Sequence, residues 1–311
     1  MATLTKNLYY LLISFRPRQW LKNLAVFAAI FFGGRLLVKE DLTLVIYLFI
    51  IFCLLSSSMY LINDIVDKEA DKVHFSKKTR PLASGLLSQK VALFAALVLI
   101  LLTLLLTFFI SELIFATAVV FIGIQLIYSL FLKRTIIFDI MAISFSFMLR
   151  VFAGSFIISE PLSSWLILTV MMLSLFLAIG KRRSELTLLT HQQAVKHREI
   201  LSHYPISFLD GLAFMMAGAS LLTYSLFTFN TGRAESFNPF TTYLPITLIN
   251  PRWLMVTIPI VAYGIFRYLY LIFERKEGES PEKILLKDLP LFSAVSLWVL
   301  TSFILIYVFN S

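Results

Sequence analysis

The sequence predicts an all-α, polytopic membrane protein of about nine transmembrane helices, and three observations carry that expectation. Of its 311 residues, 59% are hydrophobic and only 14% are charged, with a mean hydropathy of +0.86. Apolar runs near the roughly 20 residues that a helix needs to cross the hydrocarbon recur along the chain. They are rich in Phe, Leu and Ile, without the strict alternation of a transmembrane barrel. Lysine and arginine, finally, crowd into alternate loops.

The chain begins with an apolar stretch at residues 8–13, followed at once by Arg16, Arg18 and Lys22. No small-residue cleavage site appears, so the pattern fits an amphipathic segment on the membrane surface rather than a cleaved signal. Spans are expected at 23–38, 42–62, 91–110, 113–132, 136–158, 162–180, 206–228, 253–273 and 289–309. The first is short and is read as starting near Trp20, an interfacial anchor. No polar stretch is long enough to bury a core of its own, so 1–311 is read as one transmembrane domain.

Of the 27 lysines and arginines, only Arg35, Lys39, Arg233 and Arg252 fall on one side of the spans, and Arg150 and Arg267 fall within them. All the others lie in the opposite loops. The asymmetry places the N-terminus in the cytoplasm of a multi-pass cell-membrane protein and, with nine spans, the C-terminus outside. It also speaks against nucleic acid as a partner of the +9 chain, because the basic residues are dispersed in short loops. Cys53, the one cysteine, lies in an apolar run as a packing residue, which excludes an intrachain disulfide and a thiolate metal site. His191, His197 and His203 recur every six residues and scatter around a helix. The outer segment 229–252, with Pro239, Pro245 and Pro251, is irregular and carries no chemistry.

Two cytoplasmic loops, 63–90 and 181–205, are long and basic. At the start of the first, on a helix, Asn63, Asp67, Asp71 and Asp64 fall at roughly 0°, 40°, 80° and 100° around the axis. Glu69, Lys68 and Lys72 point elsewhere. Three carboxylates so close repel one another unless a cation lies between them, and hard oxygen ligands of this kind suit Mg²⁺, which takes substrate phosphates to complete its shell. The cluster sits where ionisable groups are costly and usually functional. Lys77, Lys78 and Arg80 come next, cationic partners for a phosphate-bearing substrate, and Pro81 and Gly85 mark a turn over the site. Taken alone, that basic run equally fits positive-inside topology.

The pattern Asn63-x-x-x-Asp67-x-x-x-Asp71, with Lys78-x-Arg80-Pro81-x-x-Ser84-Gly85 after it, resembles the first signature of the UbiA superfamily of intramembrane prenyltransferases. The resemblance implies nine helices around a central cavity, with Asn63, Asp67 and Asp71 as catalytic residues and, with Asp64, as ligands for the Mg²⁺ that holds a substrate diphosphate. Typical members carry a second Asp-x-x-x-Asp pair after the sixth helix. Here that place reads Gly180-Lys181-Arg182-Arg183-Ser184-Glu185, with one acid and three bases.

This departure, the opening Arg16-Pro17-Arg18-Gln19-Trp20-x-Lys22-Asn23 and the segment from Tyr128 to Lys133 are similar to the polyprenyl-phosphate phosphoribosyltransferase branch. The branch implies transfer of 5-phosphoribose from phosphoribosyl diphosphate to a polyprenyl phosphate such as decaprenyl phosphate, releasing diphosphate. Its donor and acceptor bring two more anions, which Lys181, Arg182, Arg183, Lys133 and Arg134 can meet. Lys22, Tyr128 and Glu185 join the candidate binding residues through the same likeness. The alternative is a prenyltransferase moving an isoprenoid from a prenyl diphosphate to a hydrophobic acceptor. A transporter would show broken helices and inverted halves, and neither is visible.

Asp139 and Arg150 share the fifth span, roughly 16 Å apart along its axis and on nearly one face. Asp139 lies near the cytoplasmic entrance, where it can complete the polar pocket, and the resemblance implies a place for it at the donor site. Arg150 is deeper and must meet a partner or a cavity, and Arg267 lies close enough to its helix end to snorkel.

Overall fold

A computed structural model of the chain describes residues 2–73, 77–188, 204–231, 252–274 and 281–308, and among them every regular element is a helix. The chain divides into two compact units. One comprises Met1–Ile30, Val38–Glu160 and Leu189–Pro205, and the other Phe31–Leu37, Pro161–Leu188 and Ile206–Ser311.

The first unit opens with α1 (Ala2–Ser14) and an 11-residue 3₁₀ helix, η1 (Pro17–Phe27). The five-residue α2 (Ala28–Phe32) continues η1 across the division between the units. Next come α3 (Lys39–Val66), α4 (Lys68–Lys72), α5 (Gln89–Ile110), α6 (Glu112–Leu130), the short 3₁₀ helix η2 (Leu132–Arg134) and α7 (Phe138–Ile158). The second unit holds α8 (Ser164–Leu188), α9 (Ile206–Asn230), the 3₁₀ helix η3 (Trp253–Thr257), α10 (Ile258–Phe273), α11 (Pro281–Lys287) and α12 (Leu289–Tyr307). His191, His197, His203 and nearly all of 229–252 lie outside the described residues.

Eight of the described helices are long and apolar enough to cross a membrane: α3, α5, α6, α7, α8, α9, η3 joined to α10, and α12. Their arrangement is that of a protein dissolved in lipid. On α5 the small Ala92, Ala96, Thr103 and Thr107 are buried, while Phe94, Leu101, Leu105 and Phe109 are exposed. Small residues let neighbouring backbones approach, and large apolar ones face the acyl chains. Ser88 caps α5 by accepting from the Val91 N–H, and Ser111 caps α6 by accepting from the Leu113 N–H.

The expected first span, 23–38, is not among the eight, and the reason is geometric. Arg16 is ion-paired to Asp64 near the end of α3, while Lys39 starts α3 about 38 Å away at 1.5 Å per residue. The chain between them must therefore run back along the whole of α3. The side-chain bonds trace that antiparallel course: Trp20 Nε1 donates to Ser57 Oγ at 3.1 Å, Ser56 Oγ to Asn23 Oδ1 at 3.2 Å, and Asn23 Nδ2 to Cys53 Sγ at 3.4 Å. As one α-helix, Pro17–Phe32 would rise only about 24 Å; the 3₁₀ stretch, at about 2.0 Å per residue, brings it near 30 Å. On the other flank Gly154 of α7 lets η1 come close, since a Cβ there would stand 1.9 Å from the Val26 carbonyl oxygen.

In the second unit α8, α9, α10, α11 and α12 enclose a core including Phe176, Ala217, Ile265, Tyr268, Ile272 and Leu291. Gly180 makes room for this packing, because a Cβ would meet the tip of the Ile272 side chain, Cδ1, at 2.5 Å. Arg267 does not simply snorkel. It donates to both oxygens of Asp288, at 3.0 and 2.8 Å, and Asp288 also caps α12 by accepting from the Leu291 N–H.

Candidate functional site

The acidic face survives a break in its helix. α3 stops at Val66 and α4 starts at Lys68, yet Asp67 N–H donates to the Asn63 carbonyl at 2.9 Å and Asp71 N–H to that of Asp67 at 2.8 Å. The i to i+4 relation of Asn63, Asp67 and Asp71 thus holds across the junction, as the spacing predicts. Glu69 and Lys72 face away, as expected, in an exposed ion pair of 2.7 Å, and the Lys72 ammonium holds the Glu69 carboxyl below the usual range.

Asp64 and Asp71 are buried, at 2% and 4% exposure, a depth at which a lone carboxylate is not tolerated. Three cations meet the cluster, Arg16 and Lys133 from distant parts of the chain and Arg80 from the segment that follows the acids. Arg16, in the turn between α1 and η1, pairs with Asp64; its left-handed backbone, φ 54°, aims it there. Arg80 uses one nitrogen, Nη1, to bridge Asp71 Oδ2 at 2.6 Å and Asp64 Oδ1 at 3.1 Å. Lys133 of η2, 4% exposed, pairs with Asp67. The carboxylate repulsion that the sequence leaves to a metal ion is thus offset by side chains of the protein itself.

Among the described residues, no three acidic, histidine or cysteine side chains gather as a finished metal cage. The donor chemistry nonetheless fits Mg²⁺. Asn63 donates through Nδ2 to Asp67 at 3.1 Å, but its Oδ1 is buried without a hydrogen-bond partner, an acceptor left over for a cation. Asn63, Asp67 and Asp71 are the side chains that would hold the ion, with Asp64 behind them between its two guanidinium groups.

The other candidates fall into three groups. Lys78 and Arg134 are exposed, while Lys22, Lys77 and Tyr128 are partly buried and engaged by neighbouring groups. Asp139 is wholly buried; it accepts from the Tyr204 hydroxyl at 2.9 Å and from the Ile140 N–H at 2.9 Å. Lys181, Arg182 and Glu185 lie in the second unit and are not in a loop, because α8 runs two turns beyond the expected end of its span. Helical spacing lets them neutralise one another: Arg182, fully buried, pairs with Glu185, and Lys181 lies 4.0 Å from it. Arg183 is likewise engaged, donating to Asp210 Oδ1 at 2.6 Å and the Ile272 carbonyl at 2.9 Å while stacked 3.7 Å over Phe273. It ties α8, α9 and α10 together.

Arg150 meets Asn23 Oδ1 through Nε at 2.7 Å and the Ser146 carbonyl through Nη1 at 2.6 Å, between the rings of Phe121 and Phe147. It thereby clamps η1 to α7. Sequence reasoning missed Arg16 as an acid partner and Tyr204 altogether. No local pattern marks Tyr204, and the opening motif that contains Arg16 does not tell which acid it meets. Ile137, between Lys133 and Asp139, adopts φ 69° and ψ −46°, a backbone state costing a β-branched residue of order 1–3 kcal/mol.

The comparisons with known proteins place the chain in a family and give its fold known neighbours. A family model described as the UbiA prenyltransferase family matches residues 24–294, a range running through both units. The chain is 34% identical to the decaprenyl-phosphate phosphoribosyltransferase of Mycolicibacterium smegmatis, over 94% of this chain and 92% of the relative. It is 31% identical to the protein of the same name from Corynebacterium glutamicum, over 94% and 85%. Among solved structures, a UbiA homologue from Archaeoglobus fulgidus bound to GPP and Mg²⁺ superposes with a TM-score of 0.67 at 17% identity, over 96% of this chain and 99% of that one.

Proposed function

Because the chain belongs to the UbiA prenyltransferase family, we propose that it transfers 5-phosphoribose from phosphoribosyl diphosphate to a polyprenyl phosphate, releasing diphosphate. The carrying observation is the arrangement at the end of α3, where three carboxylates interleave with Arg16, Arg80 and Lys133. Likeness to relatives of that name, over nine-tenths of the chain, supports phosphoribose as the group transferred.

In this reading the bond from the anomeric carbon to the diphosphate oxygen breaks, its electron pair leaving on diphosphate. An oxygen of the lipid phosphate forms the new bond to that carbon. Asn63, Asp67 and Asp71 would hold Mg²⁺, which when bound would supply positive charge to the leaving group. Arg80 and Lys133, now on carboxylates, exchange those partners for phosphate oxygens when the donor arrives, and their charge meets the charge developing on the departing group. Burial keeps water from competing for the ribosyl cation. The site faces the cytoplasm, supported by the skew of lysine and arginine between the two sides.

The test is purified protein with Mg²⁺, labelled phosphoribosyl diphosphate and a polyprenyl phosphate, with subsequent extraction into organic solvent. Label should pass to lipid. Unlabelled lipid across several acceptors, with turnover of a prenyl diphosphate instead, would replace this reading by prenyl transfer.

A further inference from the structure

We propose that Tyr204 is a positioning residue whose hydroxyl locks the strained turn at Ile137 and thereby sets Lys133 against Asp67. The proposal rests on the phosphoribosyl-transfer function in one respect, that Lys133 serves the donor phosphates.

Lys133 stands on a weak support. η2 has three residues, and 3₁₀ pieces that short have few bonds to fix them. The link from η2 to α7 has an uncommon backbone. Ile137 has φ 69° and ψ −46°, and Phe138 N–H donates back to the Ile136 carbonyl at 2.8 Å, closing a three-residue turn in the strained left-handed form. A β-branched residue enters that region only when its surroundings impose it.

The imposing group is one oxygen. Ile137 N–H donates to the Tyr204 hydroxyl at 2.5 Å, and that hydroxyl donates to Asp139 Oδ1 at 2.9 Å. Tyr204 is 4% exposed and Asp139 is fully buried, so neither bond is readily exchanged for water. Asp139 Oδ1 also accepts from the Ile140 N–H, in the first turn of α7, which donates as well to the Ile137 carbonyl at 3.0 Å. The hydroxyl therefore fastens the turn to the start of a long helix, 65 residues away from itself in sequence. With the turn fixed, the chain reaches back over only a few residues to Lys133, whose ammonium meets Asp67. Without it, Ile137 relaxes to negative φ and the link from η2 to α7 changes direction.

Two substitutions separate this role from packing. Tyr204→Phe keeps the ring and removes both bonds. Glycine adopts positive φ without a steric penalty, so adding Ile137→Gly lets the turn stand unaided. Tyr204→Phe should raise the KM for phosphoribosyl diphosphate about tenfold, a factor matching the loss of one to two buried hydrogen bonds, with kcat changed less. It should also speed amide exchange across residues 132–140. The double variant should regain most of the lost donor affinity. An unchanged KM in Tyr204→Phe, or a double variant worse than the single, overturns the proposal. So does a Tyr204→Phe protein that fails to fold, since the hydroxyl would then serve stability alone. Should the wild-type protein transfer no phosphoribose, the functional reading fails on its own, and exchange at 132–140 still judges the lock: unaltered protection in Tyr204→Phe refutes it.

Discussion

Replacing Arg80 by Gln should move metal affinity and donor affinity in opposite directions. Arg80 Nη1 lies 2.6 Å from Asp71 Oδ2 and 3.1 Å from Asp64 Oδ1, so it occupies carboxylate oxygens that a cation would otherwise use. Two unit charges about 4 Å apart at an effective dielectric of 20 interact by about 4 kcal/mol. Arg80 is 24% exposed, and halving that figure for solvent screening leaves about 2 kcal/mol, roughly a 30-fold change. Arg80→Gln should therefore bind Mg²⁺ about 30-fold more tightly in titrations without substrate. Its KM for phosphoribosyl diphosphate should rise at least about tenfold, because a charge-assisted bond to phosphate is gone. Calorimetric Mg²⁺ titration of the detergent-solubilised protein reads the first, and initial rates over a donor series read the second. If Mg²⁺ affinity stays the same or weakens, Arg80 is not a stand-in for the metal and the exchange of partners is wrong.

Asp67→Asn and Asp71→Ala should each lower transfer at least about 100-fold with membrane insertion intact, and EDTA should do likewise until Mg²⁺ is restored; turnover in chelator would refute the metal's role. Arg150→Met should lower unfolding stability by about 2–3 kcal/mol, since Asn23 loses a charged donor while the volume is kept; chemical denaturation in detergent measures it. Gly154→Ala should be worse, at about 3 kcal/mol or more, because the new methyl group meets the Val26 backbone rather than a movable side chain. Asp288→Ala should destabilise the protein by about 1 kcal/mol more than Arg267→Ala, as only the first also removes the cap of α12.

Much of the architecture was legible in one dimension because it is local. Whether about 20 residues prefer lipid to water depends on those residues alone, and seven expected spans, from 42–62 to 253–273, match helices within a few residues at most ends. The last, 289–309, does so as far as Tyr307. The acidic face was equally readable, since i to i+4 spacing on a helix puts Asn63, Asp67 and Asp71 together whatever surrounds them. Two stretches take a local form that differs from the one their residues suggest. Residues 23–38 read as an ordinary span, but the stretch that retraces α3 is built from the end of a 3₁₀ helix, the five-residue α2 and a non-helical link at 33–38. The basic Lys181–Arg183 run read as part of a loop, but two more turns of α8 put it on a helix, where Arg182 pairs with Glu185 and Arg183 with Asp210.

The sequence by itself determined the solvent the protein lives in, the order of its helices and the face on which its carboxylates stand. Folding in three dimensions decided which cations answer them. Arg16 and Lys133 reach their acids across 48 and 66 residues, and Arg150 reaches Asn23 across 127. Helical periodicity fixes the direction of a side chain from its own helix, whereas a partner on another helix depends on how the two axes pack and at what height. A single string of residues carries the first and leaves the second to the assembled bundle.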